Sequence, residues 1–510
     1  ILAITMLAFV RNRATNALPL LLGLFFKISG TSARVLTMLS NAGVYGVSSN
    51  TVERLKKRIS EDAIAFAVDL MKSGQLFFVI FDNINIFVRK FQQRVTNRNS
   101  MIHATNAAII SLPGVDLEAE NLKAKLDLRG KRAAATIADI MPTQEDDAHM
   151  QKAFSGLIAD MLIRYCPGNQ KWEGRADMLK EAANMIPKDR PLKTEKTDTR
   201  PFGVFDVNEG SKKGIVKVVE QIQQRSTLTK EEWSSKTRII EGDWLTSNNL
   251  RAARRDRVDD VNTMERVENP EELSAVWHHA LQASHKIMRT HYGNAILDPT
   301  SLAAHKGLLN RTWDVNKPNY AAAKALIRHS LIARLLHIIS EKITAQFATT
   351  AAAEDAKKGE DDYLAHAIYF IRDALFFCEF EHAVSWADAG RHNYARECAE
   401  ILIKLKYEVT EALRAALEKA WFVNRWGLDG RWIPADLYLE QLNFWVKVSR
   451  GQRKVNTVSN LHERLLFFTL AGVYCAREWS YCGIYHGERL SVCRSISRHH
   501  SPGRKLLWRR

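Results

Sequence analysis

Cysteine is sparse in this chain: six among 510 residues, with no CxxC pair. That scarcity excludes a zinc centre built on cysteine pairs and a disulfide framework, and it fits a reducing compartment. Long apolar runs are missing too. The strongest, ALPLLLGLFFKI and LLFFTLAGVYCA, fall short of the roughly 18 residues needed to cross a bilayer, so no membrane partner is predicted. No HExxH or comparable ligand spacing occurs. His278, His279, His285, His291, His329 and His337 scatter through one helical block and read as packing or surface residues. The chain starts at Ile1, and ILAITMLAF runs into Arg11 and Arg13 with no small-residue cleavage site, which reads as a truncated start and no secretory signal.

What is present is a globular composition, 46% apolar and 25% charged, long enough for two or more structural units. The net charge of +16 suggests a nucleic-acid partner, but it is unevenly placed. From Val448 to Arg510 twelve Lys and Arg stand against three Glu, a share of +9. That tail holds three of the six cysteines and shows neither helical nor strand period. Back-translation permits a splice donor at Val448-Ser449, and AREWSYCGIYHGE becomes more protein-like one base out of register. Residues 448–510 are therefore expected to be intron read-through followed by out-of-frame exon, without a fold of their own.

Two short apolar segments each deliver an acid. FFVIFDNINIF reads as a strand with Asp82 in its middle, on the face shared by Ile80, Ile84 and Ile86. A carboxylate buried there unpaired would cost several kcal/mol. A cation is expected beside it, either a surface Arg or Lys or a divalent ion held by converging acids. TRIIEGDWLTSNNL puts Asp243 at the end of a second strand, before a helix that Thr246 or Ser247 would cap. On that helix Arg251, Arg254 and Arg255 recur at spacings of three and four, a cationic face for phosphate or a salt-bridged surface.

Between these strands, MIHATNAAIISLPG predicts a return strand, residues 115–200 read as mostly helical, and KDRPLKTEKTDTRP as a linker or exposed loop. GIVKVVEQIQQRS predicts another helix. From Asn269 to Phe347 the pattern is helical, beginning after Asn-Pro, and ATTAAAEDAKKGED reads as a break before a further helical block from Asp361 to about Trp421. A last helix near Pro434 sets Glu440, Asn443 and Lys447 on one side; Glu440 is the candidate third acid, with Asp436 its rival. At the other end, GTSARVLTMLSNAGVYGVSSNTVERLKKRI reads as helix, glycine-containing turn and second helix capped by Ser49, a helix-turn-helix-like unit. Arg54 and Lys57, with Lys56 and Arg58, make its second helix cationic, as phosphate contact or as a plain solvated face.

FKISGTSARVLTMLSNAG, FDNINIFVRKFQQRVTNRN, GDWLTSNNLRAARRDR and HYGNAILDPTSLAAHKGLLNR together resemble a large family of fungal proteins of unknown function, expanded in mushroom genomes. The resemblance covers nearly everything before Val448. Members look like transposase-derived proteins, which implies an α-rich α/β fold: an RNase H-like mixed sheet over residues 71–447, helical insertions near 115–200 and 262–425, and an N-terminal helical region over 1–70. It also implies a triad, here Asp82, Asp243 and Glu440, holding two Mg2+ for DNA strand cleavage and transfer. Arg251, Arg254, Arg255, Asn443, Lys447, Arg54 and Lys57 would then bind nucleic acid, in a nuclear protein capable of homo-oligomer formation. This copy of the enzyme is expected to be degenerate, and the alternative is a non-catalytic helical protein, domesticated or relic, that binds nucleic acid or another protein.

Overall fold

The computed structural model describes residues 2–388 apart from 29–30, 43–45, 89–97, 113–119, 131–143, 190, 192–196, 275, 316–318, 341–349 and 387. At its centre is a mixed five-stranded sheet of order β3-β2-β1-β4-β5, formed by β1 (Phe77–Val88), β2 (Ser100–Ser111), β3 (Thr199–Phe205), β4 (Arg238–Gly242) and β5 (Pro270–Ser274). β1 and β2 pair antiparallel from Phe77↔Ser111 to Val88↔Ser100, and β3 extends that side antiparallel. On the other side β4 runs parallel to β1, and β5 parallel to β4.

Alternation along β1 divides its side chains between two cores. Phe77, Val79 and Phe81 join a cluster with Ala67 and Leu70 of α4 (Ser49–Lys72), Ile215, Val218, Val219 and Ile222 of α8 (Lys212–Ser226), and Leu250 of α10 (Trp244–Asp256). Phe78 and Ile80 join the opposite cluster with Ile110 and Ile239. The 3, 4, 7 spacing along α8 is the stripe that buries a helix against a sheet, and burying each such side chain contributes about 1.5–3 kcal/mol.

The N-terminal region is helical, with α1 (Leu2–Arg11), α2 (Ala17–Ile28) and α3 (Ala33–Asn41) preceding α4 around Leu24, Leu36, Val47 and Val52. The cap of α4 is Ser48, not the expected Ser49; its hydroxyl accepts the Thr51 amide at 3.1 Å. Between β2 and β3 lie α5 (Leu122–Gly130), α6 (Gln144–Tyr165) and α7 (Arg175–Met185), and between α8 and β4 the short α9 (Lys230–Ser234). Beyond β5, α11 (Val276–His291), α12 (Leu302–Leu308), α13 (Tyr320–Ser340), α14 (Thr350–Lys358) and α15 (Asp362–Ser385) build a helical lobe. Its core joins Met288, Ile327, Leu331, Phe370 and Leu375 to Met150 and Met161 of α6.

Three sequence expectations are corrected here. TRPFGVF, which begins inside the expected linker and runs beyond it, is strand β3. Its Pro201 and Gly203 resemble breakers but flank a bulge in an edge strand, where a missing N–H is tolerated and Gly203 takes φ +94°. Pro270–Ser274, expected to open a helix, is strand β5, and the helix begins at Val276. Parallel pairing with β4 overrides local propensity, and Pro270 occupies the first position of an edge strand. The alanine-rich break contains α14, a segment whose Ala, Glu and Lys are good helix formers.

Candidate functional site

Asp82 lies on β1 and Asp243 immediately after β4, the strand beside it. β1 and β4 are neighbours, paired Phe78↔Ile239, Val79↔Ile240 and Ile80↔Glu241. Continued two residues, that register sets Asp82 opposite Asp243, and adjacent strands lie about 4.8 Å apart. Asp82 is half-buried, on the Ile80 face as alternation requires, with Asn106 of β2 as its partner across the antiparallel pair.

Asp243 lies where β4 turns into α10. It is itself the helix cap, replacing the expected Thr246 or Ser247: its Oδ1 accepts the Thr246 amide at 2.7 Å. The glycine before it has a steric reason. A Cβ on Gly242 would stand 2.6 Å from the Thr246 side chain, which is buried over the strand end. Gly-Asp-x-x-Thr is thus one packed unit: glycine admits the threonine, and the aspartate starts the helix with one carboxylate oxygen committed.

A third acid, absent from the sequence-based set, faces this pair. Glu209 lies in the loop between β3 and α8 and is 1% exposed. Its backbone is held from three sides. The Thr105 hydroxyl of β2 donates to Val207 O at 2.8 Å, and Asn249 Nδ2 of α10 donates to Glu209 O at 3.2 Å. On the third side Gly214 of α8 lets the Asn208 carbonyl approach so closely that a Cβ would meet it at 1.8 Å. The side chain is left facing Asn83, next to Asp82, and Thr246, one turn from Asp243. Burial, and then the charges of Asp82 and Asp243, push the Glu209 carboxyl well above the ordinary carboxylate range; the Thr246 hydroxyl and the Asn83 amide oppose that rise. Neither oxygen completes a hydrogen bond of ordinary geometry. Only its NEGS loop composition hints at Glu209 in sequence, and that composition signals a turn.

The arginines of α10 are largely turned to the fold. Arg254 donates to Glu272 of β5 at 2.8 Å and to the carbonyls of Val267 and Pro270 at 3.0 and 2.8 Å, while Arg251 stands 3.5 Å from the same carboxylate. Arg255 is exposed. On α4, Arg54 is exposed and Lys57 lies 3.7 Å from Glu61, whereas Lys56 is buried and paired with Glu53 at 2.7 Å. Glu440, Asn443, Lys447 and the rival Asp436 lie outside the described residues, as does the 448–510 tail.

Oxygen donors from Asp and Glu suit a hard divalent cation. Glu209, 1% exposed with neither oxygen in an ordinary hydrogen bond, is a buried oxygen donor of that kind. Among the described residues, no group of three His, Cys, Asp or Glu stands gathered as a formed metal site. Also among them, no helix is long and apolar enough to cross a membrane.

Comparison with protein-family models matches residues 129–341 and 338–465 to a family of unknown function (DUF6589). That span exceeds half of the chain, and the chain belongs to this family. It includes Asp243 and Glu209 and begins after Asp82. Comparisons with curated proteins and with solved structures return no match.

Proposed function

We propose that this chain is a transposase-derived DNA-binding protein whose sheet carries a Mg2+-dependent site for phosphodiester cleavage and strand transfer. The observation that carries the reading is the parallel register of β1 and β4, which if continued two residues past its last pair would set Asp82 opposite Asp243. The sheet order supports an RNase H-like core: three antiparallel strands continued by two that run parallel to the first. Helical lobe α11–α15 falls between β5 and the segment bearing Glu440, where such a core would receive a large insertion.

In this reading Asp82 and Asp243 hold the ion pair from the sheet and Glu440 completes the triad. Bound Mg2+ would supply polarisation of the phosphate and a nucleophile at neutral pH. The chain's own task is positioning. The cap bond to Thr246 fixes Asp243, the β1 pleat fixes Asp82, and exposed cations such as Arg255, Arg54 and Lys57, with Asn443 and Lys447, hold the DNA backbone without reading bases. Such a protein works in the nucleus on DNA, and its homo-oligomer would bring two DNA ends together.

One observation favours the non-catalytic alternative: Asp243 already has a structural duty as helix cap. A Mg2+-dependent nicking assay separates the two. The parent should nick supercoiled DNA, and Asp82→Asn and Asp243→Asn should each lose at least about a hundred-fold, the scale of losing a principal electrostatic contribution to catalysis. Equal nicking by parent and both variants rejects the triad.

A further inference from the structure

We propose that Glu209 is a ligand of the divalent-cation site, a carboxylate from the β3–α8 loop that joins Asp82 and Asp243 around the ion. The inference rests on the metal-site reading above and adds a residue to it. The three acids belong to separate elements that adjoin one another: Asp82 is in the middle of β1, Asp243 at the end of β4, and Glu209 on a loop tied to Thr105, which precedes the Asn106 partner of Asp82, and to Asn249 of α10, the helix that Asp243 caps. No hydrogen bond of ordinary geometry explains the burial of Glu209. It caps no helix, since Ser211 caps α8, and no arginine or lysine salt bridge holds it among the described residues.

Three buried acids elsewhere in the described fold have such partners. Glu120 is bound by Arg238 and Lys236, Glu271 by Lys125 and Arg129, and Glu272 by Arg254 and Arg251. A carboxyl buried beside two others is held either by a proton or by a cation that joins them, and local conflicts of this kind are expected where function requires them. The hydroxyl of Thr246, 1% exposed and beside Glu209, adds a neutral oxygen on the α10 side of the same site.

The test uses Mn2+ as the probe and the full chain. Binding is followed by electron paramagnetic resonance and by the ion-induced rise in melting temperature, for the parent, Asp82→Asn, Asp243→Asn, Glu209→Gln and Glu209→Asp. The parent should bind. Glu209→Gln should melt higher than the parent without ion and lose at least about ten-fold in Mn2+ affinity, while Glu209→Asp, which keeps the carboxylate, should fall between them. Parent-like Mn2+ affinity in Glu209→Gln, with weakened Asp82→Asn and Asp243→Asn, overturns the role of Glu209 and leaves the two-aspartate site standing. No saturable Mn2+ binding by the parent overturns both. Should Glu209→Gln fail to fold, undiminished affinity in Glu209→Asp together with an unchanged resonance spectrum counts against ligation.

Discussion

Neutralising Glu272 tests whether the arginines of α10 serve the fold or the ligand. Glu272 is 2% exposed and accepts from Arg254 Nη2 at 2.8 Å and Nη1 at 3.4 Å, with Arg251 Nη1 at 3.5 Å. Glu272→Gln leaves those guanidinium groups beside β5 without their counter-charge, and breaking a buried pair from one side costs about 3–5 kcal/mol. The titration of the carboxyl gives a similar size. Burial pushes Glu272 up, but the charge and hydrogen bonds of Arg254, then Arg251, outweigh it and bring the carboxyl from 4.5 to about 2. At about 1.4 kcal/mol per unit, that lowering is worth about 3 kcal/mol, fully present above pH 4.5 and lost as pH falls through about 2. For a cooperative unit of several hundred residues the melting temperature should drop by roughly 5 °C. Arg254→Gln should cost a similar amount, and the double variant should cost less than the sum by about 1–3 kcal/mol. The assay is calorimetric melting of the four proteins beside DNA binding at several salt concentrations. Arg254→Gln should leave the salt slope unchanged, because its guanidinium is engaged inside the protein. A slope reduced by about one in a protein of unchanged melting temperature would make Arg254 a phosphate ligand and refute the structural assignment.

Further outcomes are equally specific. Gly242→Ala drives a methyl to 2.6 Å from Thr246 and should destabilise the β4–α10 junction by about 1–3 kcal/mol in chemical denaturation; a neutral effect would mean that Thr246 does not pack over the strand end. In the helical lobe, burial raises the Asp373 carboxyl, but the His291 hydrogen bond and the Arg372 charge prevail and lower it below 3.8. A depressed folded-state acid contributes stability above its ordinary value and loses it as pH falls through the folded one. Asp373→Asn should therefore flatten the acid limb of a melting-temperature profile taken between pH 6 and pH 2, whereas profiles of equal steepness would remove Asp373 from the account.

The site was legible in sequence only where a periodic pattern carried it. Alternation in FFVIFDNINIF fixed which face of β1 holds Asp82, and the short apolar run before Gly242 predicted β4 with Asp243 at its end. The cap was misplaced onto Thr246 or Ser247, because the acid suspected of binding metal is also the residue that starts the helix. Glu209 was invisible, since a glutamate in an Asn-Glu-Gly-Ser turn looks like any solvated loop acid until Thr105, Asn249 and Gly214 press its backbone inward. The spacing on α10 groups Arg251, Arg254 and Arg255 on one face, but periodicity cannot say that Arg251 and Arg254 meet Glu272 of β5 while Arg255 meets solvent.

By itself, the sequence determined what depends on neighbours along the chain: six scattered cysteines without a CxxC pair, no bilayer-length apolar run, the α8 and α13 helices, and the strands that carry Asp82 and Asp243. Tertiary structure alone decided what depends on pairing between distant segments. TRPFGVF and PEELS became strands because β2 and β4 offered edges to complete, and the pairing of β1 with β4 made neighbours of the strands that carry two aspartates 161 positions apart. Hydrogen-bond partners in a sheet are chosen across space, so no local pattern in the chain records them.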